Sequence, residues 1–273
     1  EERLRLILNF NVNIKACDVR DDHNISTVIE NTQPDVLVHL AAISHSNRSN
    51  KDPFSTYDHS LRTLENTLDF AKREKIHTIY LSSSMVYGEF NNKKVSEDHI
   101  CKPVGIYGTL KLAGELMLKA YKQVFETPYT IIRPSALYGE RCVSRRVGQI
   151  FIENALQDKE IVVNGTGEDK LDFTYIDDLV SGIRLICENE SAKNETFNIT
   201  YGHGRRINDL LEIIKSEFPK ISVLYKEREK FMPERGTLDT SKAKKLLNFK
   251  SIYPIEQGYV KYISWYKEHF KNL

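Results

Sequence analysis

The sequence is poor in cysteine, has almost no net charge and lacks a long apolar run. Its four cysteines, Cys17, Cys101, Cys142 and Cys187, have no spacing typical of metal ligands. We therefore expect reduced thiols, no bound metal and a cytoplasmic location. A net charge of +1 gives no attraction to nucleic acid or to an anionic membrane. No apolar run approaches the ~18 residues that a membrane span needs. The 273 residues, 40% of them hydrophobic, suffice for one large domain or two small ones.

Short apolar runs alternate with amphipathic stretches through the first half of the chain. Residues 36–42, 77–83 and 129–135 have the length and composition of strands buried on both faces of a parallel sheet. Residues 54–74 and 107–125 have the helical period. Strands and helices that alternate at this spacing predict an α/β fold with a doubly wound parallel sheet and right-handed crossovers.

The two halves of the chain differ in the length of their predicted strands and helices, and the change falls near Pro134. Beyond it, shorter strand and helix patterns predict a smaller α/β lobe. We expect residues 1–140 to form the larger domain and residues 141–273 to form the smaller lobe, partly interleaved with the first. Near the start of the chain, the pattern also predicts a short strand at 13–17 and a helix at 25–31.

Tyr107 and Lys111 are the most informative pair of residues in the chain. Four residues apart on a predicted helix, they share one face, where a lysine ammonium favours the phenolate form of tyrosine. Chance supplies about one such spacing in a chain of this composition, so the surroundings decide its weight. Ser83 follows a predicted strand, and ligands bind at the carboxyl ends of strands in such sheets. The three residues together predict a proton-transfer site.

Five motifs, VLVHLAA, SSSMVYG, YGTLK, RPSALYG and DFTYIDDL, occur in this order along the chain. As an ordered set they closely resemble the extended short-chain dehydrogenase/reductase family, and within it the nucleotide-sugar epimerases and dehydratases. The resemblance runs from about residue 13 to the C-terminus. It implies a Rossmann-type domain that binds NAD and a smaller lobe that binds a nucleotide-diphosphate sugar.

The resemblance also implies roles for individual positions. It implies a catalytic trio of Ser83, Tyr107 and Lys111. It implies NAD contacts at Asp18, Val19, Leu40, Ala41, Ala42, Ser82, Pro134 and Leu137, together with Tyr107 and Lys111. It implies that the nucleotide sugar is held by Ser84, Lys170, Arg228 and Arg235, with Arg228 the first candidate for the diphosphate.

One departure from the family pattern concerns the glycine-rich turn. The family has G-x-x-G-x-x-G after its first strand, where backbone amides meet the pyrophosphate of NAD. This chain has no such turn, and its expected place is upstream of Glu1. The expectation is that a first βαβ unit of roughly 30 residues is missing from the sequence.

A second departure, at Met85, narrows the chemistry. Dehydratases of the family carry Asp-Glu in this loop for acid/base work, and the decarboxylases keep a Glu, where this chain has Ser84 and Met85. Because methionine transfers no proton, we expect an NAD-dependent 4-epimerase that acts on an NDP-hexose through a 4-keto intermediate. An NAD(P)-dependent 4-ketoreductase, a 4,6-dehydratase-like enzyme and a non-catalytic dinucleotide-binding remnant stay open as alternatives.

The resemblance further implies a homodimer, in which helices 54–74 and 107–125 pair across a two-fold axis. His39, inside an apolar strand, is interpreted as a core residue. Arg145 and Arg146 are equally compatible with a solvated face and with a clamp on a sugar or a phosphate.

Overall fold

The computed structural model describes residues 7, 9–10, 12–91, 93–228 and 231–270. Within these ranges, no helix combines the length and the apolar character needed to cross a membrane. The glycine-rich turn expected ahead of Glu1 lies outside the described residues.

The strands fall into one larger sheet and three short pairs. In chain order the described strands are Val36–His39 (β1), His77–Leu81 (β2), Tyr129–Arg133 (β3), Leu137–Tyr138 (β4), Ile161–Asn164 (β5), Lys170–Leu171 (β6), Thr174–Tyr175 (β7), Glu195–Asn198 (β8), Arg205–Arg206 (β9) and Val223–Lys226 (β10). The larger sheet has the order β1–β2–β3–β8, and all its pairs are parallel. The predicted parallel sheet is therefore confirmed, with β1, β2 and β3 inside the predicted apolar runs.

The helices connect these strands and cover the larger sheet. The described α-helices are Asp22–Thr32 (α1), Ser46–Lys51 (α2), Pro53–Tyr57 (α3), Thr63–Glu74 (α4), Gly105–Phe125 (α5), Val147–Leu156 (α6), Ile176–Cys187 (α7), Ile207–Glu217 (α8), Ser241–Leu247 (α9) and Ile255–His269 (α10). The predicted helix over 107–125 corresponds to α5. It ends just before Pro128, in keeping with the bias of a residue before proline against helical conformation.

Helices cover both faces of the larger sheet. Successive residues of a strand point to opposite faces, and the central residues of β2 and β3 are buried and mostly apolar on both faces. Tyr80 and Ile131 pack with side chains of α4 and α5. Ile79 and Ile132 pack on the other face with side chains of α7 and α9. The predicted doubly wound arrangement is confirmed.

The smaller lobe surrounds a separate core. Side chains of α6, α8 and α10 pack there around β4, β5 and β7, and β5 pairs in parallel with β10. Tyrosines dominate one side of this core, where Tyr138 makes ring contacts with Tyr175, Tyr259 and Tyr262. Between the elements of this lobe the chain returns to the larger sheet as β8, which pairs with β3.

The helix predicted over 54–74 contains a π turn at Asp58–Arg62, between α3 and α4. A π turn inserts one extra residue into a helix and shifts the side chains that follow. Here Thr63 Oγ1 donates to the carbonyl oxygen of Ala41 at 3.1 Å, and Ser60 Oγ accepts from Ile43 N–H at 3.4 Å. The turn therefore attaches this helix to the loop that follows β1.

At the start of the described chain, one prediction is confirmed and one is wrong. The predicted helix at 25–31 is α1, whose first turn is capped by Asp21 Oδ1 accepting from Asn24 N–H at 3.1 Å. The strand predicted at 13–17 does not form. A strand needs a hydrogen-bonded neighbour, and among the described strands β1 pairs only with β2.

Candidate active site

The carboxyl ends of β1, β2 and β3 meet the first turns of α5, where Tyr107 and Lys111 lie. Residues four apart share one face of a helix, and here that face is buried: Tyr107 is 9% and Lys111 6% exposed. Lys111 Nζ donates to the carbonyl oxygen of Leu81, at the end of β2, at 2.6 Å. The structure thus brings the predicted pair to the edge of the sheet where ligands bind.

Ser83 lies against Tyr107 in the turn after β2. A single 3₁₀ turn, Ser84–Tyr87, follows it, and Ser83 Oγ accepts from Met85 N–H at 3.2 Å. The Ser83 side chain also lies near enough to the Tyr107 hydroxyl to lower its pKa. Gly108 permits this close approach, since a Cβ there would lie 2.7 Å from the Met85 carbonyl oxygen. The helix and the turn are therefore in backbone contact beside the hydroxyl pair.

Burial raises the pKa of Tyr107 above its usual value of 10.0. The positive charges of Arg146 and Arg235 and the nearby Ser83 side chain lower it, without offsetting the burial. The expectation from sequence was that Lys111 would supply this charge. In the structure the opposing charges come from two arginines of the smaller lobe, because Lys111 Nζ is directed at Leu81.

Lys111 is buried, and its pKa lies closer to neutral pH than that of an exposed lysine. Burial lowers its pKa from 10.5 to about 8, and the carboxylate of Glu115 opposes this shift. Its Nζ also lies 4.8 Å from the centre of the Tyr80 ring, a cation–π contact. The charge of Lys111 therefore depends on its few neighbours.

His39, at the end of β1, is neutral. Burial lowers the pKa of His39 to about 4, and the charge of Lys111 acts in the same direction. Its Nδ1 lies 3.2 Å from Thr67 Oγ1, and its Nε2 has no hydrogen-bond partner within the described part of the chain. A neutral, packed ring agrees with the interpretation of His39 as a core residue.

Residues predicted to line the cofactor path lie at the same edge of the sheet. Leu40 is 60% exposed, and Ala41 and Ala42 beside it are half-buried. Pro134 is buried and Leu137 half-buried just beyond β3. Leu40, Ala41, Ala42 and Leu137 thus leave apolar area exposed at this edge of the sheet, whereas Pro134 is enclosed.

Asp18 and Val19, the predicted contacts of the adenine, precede α1. Arg20 donates to both carboxylate oxygens of Asp18, with Nη2 at 2.6 Å from Oδ2, and this hydrogen bonding lowers the pKa of Asp18 to about 2. Asn66 Nδ2 donates to the Val19 carbonyl oxygen at 2.9 Å. An ionised carboxylate at Asp18, exposed apolar side chains after β1 and the pair Tyr107 and Lys111 are groups of the kind that a dinucleotide contacts.

Three serines in a row have different environments. Ser82 Oγ donates into the interior, to Glu115 Oε1 at 2.6 Å, so its hydroxyl is not free for a cofactor. Ser83 contacts Tyr107, as described above. Ser84 is fully buried, and its Oγ has no hydrogen-bond partner among the described residues. The Ser84 hydroxyl is thus unpaired but enclosed, and its contact with the substrate stays a prediction.

A cleft of about 840 Å³ on the smaller lobe gathers the predicted substrate-binding cations, since Lys170, Arg228 and Arg235 all line it. Arg228 is already paired, with Nη2 3.2 Å from Asp169 Oδ1 and Nη1 3.3 Å from Glu234 Oε1. Arg235 forms no salt bridge with any residue that the structure describes. It is therefore a better diphosphate candidate than Arg228, which sequence reasoning had preferred.

Arg145 and Arg146, which the sequence left undecided, separate in the structure. Arg145 Nη2 lies 3.0 Å from Glu153 Oε2 and is mostly exposed, as on a solvated face. Arg146 is half-buried, and its Nη2 donates to the Ser44 carbonyl oxygen at 3.1 Å. Burial, and then the charge of Arg146, lower the pKa of Arg235 to about 10. Arg146 thus joins the site, and its only signal in the sequence was the basic cluster around it.

Comparison with known proteins agrees with this geometry. A profile of the NAD dependent epimerase/dehydratase family matches residues 2–200. YtcB of Bacillus subtilis, described as an uncharacterized UDP-glucose epimerase, is 31% identical over 234 residues, which make up 85% of this chain and 74% of YtcB.

Two solved structures have the same fold. UDP-glucuronic acid 4-epimerase from Bacillus cereus, in complex with UDP-glucuronic acid and NAD, has a TM-score of 0.89 and 27% identity, covering 97% of this chain and 85% of that one. UDP-glucose 4-epimerase from Thermotoga maritima, with UDP-glucose, has a TM-score of 0.88 and 26% identity, covering 94% and 85%. The profile match over most of the chain and the shared fold establish that this chain belongs to the NAD-dependent epimerase/dehydratase family.

Proposed function

We propose that this chain is an NAD-dependent nucleotide-sugar epimerase that inverts C4 of an NDP-hexose through a 4-keto intermediate. The observation that carries this proposal is the placement of Ser83 beside the buried Tyr107, with Lys111 buried one turn behind. The relatives described above are named for UDP-glucose and UDP-glucuronic acid, which supports a UDP-sugar as the substrate.

The residues predicted to line the cofactor path fit NAD. Asp18 and Val19 would hold its adenine end, Leu40 to Ala42 its middle, and Pro134, Leu137, Tyr107 and Lys111 its nicotinamide end. Hydride transfer at C4 is the chemistry that NAD supplies when bound.

Side chains of the protein, and not NAD, would transfer the proton. Tyr107 would take the proton of the sugar 4-hydroxyl and later return it, acting as general base and then as general acid. Ser83 would donate a hydrogen bond to the same sugar oxygen. Since burial raises the pKa of Tyr107, nearby positive charge is needed to favour the phenolate, and Arg146 and Arg235 are the cations that act on it.

Met85 favours epimerisation over dehydration. It is buried in the turn that carries Ser83, where the dehydratases of the family carry an acidic residue according to the resemblance. A thioether offers no proton to C5 or C6 of the sugar. The expected chemistry is therefore confined to C4.

A substrate panel tests the proposal. The protein is incubated with NAD and, one at a time, UDP-, dTDP-, GDP- and CDP-sugars, including UDP-glucose and UDP-glucuronic acid, and products are identified by NMR. Interconversion of C4 epimers without net NADH formation is the expected result. Stoichiometric use of NAD(P)H on a 4-keto sugar would instead identify a ketoreductase, and a 4-keto-6-deoxy product a dehydratase. NAD binding with no turnover of any sugar would identify a non-catalytic remnant.

Arg235→Leu should weaken binding of the substrate's nucleoside diphosphate about ten- to hundredfold, measured by calorimetry. A hydrogen bond to a charged group contributes about 1.5–3 kcal/mol, and about 1.4 kcal/mol corresponds to tenfold in affinity. Arg228→Leu is the matched control, because Arg228 lines the same cleft but already pairs with Asp169 and Glu234. Equal losses in the two variants, or a larger one for Arg228, would contradict this assignment.

We further propose that two copies pair through the helical segments 54–74, which runs from α3 to α4, and 107–125 of α5, as the family resemblance implies. Phe54 of α3 is 84% exposed and Leu116 of α5 is 58% exposed, with Tyr57 and Val124 also exposed on these helices. Exposed apolar patches of this kind mark interaction surfaces, and a second copy would bury both.

Leu116→Glu should therefore convert a dimer into a monomer in sedimentation velocity, because a charge placed in an apolar interface loses its hydration. Val180→Glu is the control, since Val180 is similarly exposed on α7. A protein that sediments as a monomer before any substitution would refute the proposed pairing.

A further inference from the structure

Glu115 continues the stripe formed by Tyr107 and Lys111, one further turn along α5. It is fully buried and accepts hydrogen bonds on both carboxylate oxygens. Ser82 Oγ donates to Oε1 at 2.6 Å, and Arg133 donates through Nε to Oε1 at 2.9 Å and through Nη2 to Oε2 at 2.6 Å. Ser82 follows β2 and Arg133 ends β3. The carboxylate thus ties the catalytic helix to two strand ends.

The other side of Arg133 extends this tie. Its Nη1 donates to the Tyr87 hydroxyl at 2.9 Å, and that hydroxyl donates to Asn198 Oδ1, at the end of β8, at 2.7 Å. Tyr87 closes the 3₁₀ turn that begins just after Ser83. One network of buried hydrogen bonds therefore holds both ends of the turn that carries the serine.

The Glu115–Arg133 ion pair is not expected to contribute much to the free energy of unfolding. Both side chains are almost completely buried, 0% and 3% exposed, and the cost of desolvating two charges often cancels their attraction. Apolar side chains of similar size fill such a space about as well. What apolar side chains would not provide is a fixed negative charge beside Lys111.

Lys111 has few other charged or titratable neighbours. On its own helix it is flanked by Tyr107 and Glu115. From β1 it faces His39, which is neutral because burial lowers its pKa to about 4. From β2 it faces the Tyr80 ring, whose hydroxyl is also neutral because burial raises its pKa. Glu115 is the charge that opposes the loss of the Lys111 proton on burial.

We propose that Glu115 is a positioning residue of the site: it fixes the strand end next to Ser83 and is the countercharge that keeps Lys111 protonated. Its part in turnover rests on the function proposed above. Its effect on Lys111 does not, and can be measured without any substrate.

Glu115→Gln tests this electrostatic effect directly, since it keeps the shape of the side chain and removes the charge. The titration of Lys111 is followed by NMR in protein labelled with ¹³C at the lysine Cε, and the resonance is assigned by its absence in Lys111→Met. We expect a midpoint near pH 8 in the unsubstituted chain and a midpoint at least about one pH unit lower in Glu115→Gln, since a unit corresponds to about 1.36 kcal/mol of interaction. Glu65→Gln, exposed on α4, should leave it unchanged.

A double variant guards against misfolding. Glu115→Gln alone leaves Arg133 buried without its partner, which is strongly destabilising. Glu115→Gln combined with Arg133→Met removes both charges, and its Lys111 midpoint should lie between those of the single variant and the unsubstituted chain. An unchanged Lys111 midpoint in the folded double variant would overturn the proposal.

The pH profile of turnover separates positioning from a purely structural role. The alkaline limb reports loss of the Lys111 proton, so it should move to lower pH in parallel with the NMR midpoint. A shift of one pH unit should lower turnover at pH 7.5 about threefold. If the NMR midpoint shifts but the pH profile of turnover does not, Glu115 has no role in turnover. Absence of turnover in the unsubstituted protein would refute the proposed function, with the NMR result still deciding the effect of Glu115 on Lys111.

Discussion

Replacing Tyr107 with phenylalanine should lower turnover of the nucleotide sugar about 10²- to 10⁴-fold, the usual contribution of a positioned proton-transfer group. The substitution removes only the hydroxyl that lies beside Ser83. The ring keeps its volume in a site that is 9% exposed, so the packing of α5 on the strand ends should survive. Turnover is measured by NMR with the substrate identified in the panel, and folding by thermal unfolding.

Tyr121→Phe is the matched control for this experiment. Tyr121 lies on the same helix, half-buried and remote from the strand ends, and its hydroxyl has no part in the proposed chemistry. Its turnover should stay within about twofold of the unsubstituted protein. If Tyr107→Phe keeps a tenth or more of the original turnover while Tyr121→Phe keeps all of it, Tyr107 is not the proton-transfer group.

Gly108→Ala should lower both stability and turnover, through a single methyl group. The added Cβ would lie 2.7 Å from the Met85 carbonyl oxygen and 3.0 Å from Pro103 Cβ. Backbone on one side and a ring on the other cannot move aside as a flexible side chain would, so α5 must shift away from the turn. Overpacking of this kind costs about 1–3 kcal/mol.

The same shift should separate Tyr107 from Ser83. A displacement of about 1 Å within a catalytic site can cost on the order of 10²-fold in rate, and we expect a loss of this size in turnover. Thr109→Ala is the control, because Thr109 is the next residue of the helix and faces solvent. A Gly108→Ala protein with the unfolding temperature and turnover of the control would show that the close contact has no functional importance.

Local patterns predicted much of the larger domain. The apolar runs at 36–42, 77–83 and 129–135 became β1, β2 and β3 because a strand covered on both faces needs apolar side chains on both. The pair Tyr107 and Lys111 could be placed on one face of a helix because helical period is a property of spacing alone. Glu115 lies on the same stripe, so the spacing that revealed Lys111 also held this signal.

Other features were not visible in local patterns. The π turn at Asp58–Arg62 follows the amphipathic pattern of a continuous helix, and its stabilising contacts, with Ala41 and Ile43, come from a loop about 20 residues earlier. The strand predicted at 13–17 had a plausible composition but pairs with no strand among the residues that the structure describes. Strand pairing and the π turn both depend on contacts with segments that are distant in the sequence, so local patterns do not predict them.

The sequence by itself determined the parallel α/β architecture, the motif order and the position of Tyr107, Ser83 and Lys111 near one another. Tertiary structure alone decided which charges act on them. Arg146 and Arg235 approach Tyr107 from separate segments of the smaller lobe, Arg228 is neutralised by Asp169 and Glu234, and Glu115 is joined to Arg133 from β3. The physical reason is that hydrogen bonding and helical period follow positions along the chain, whereas electrostatic interactions depend on distance through space and on burial.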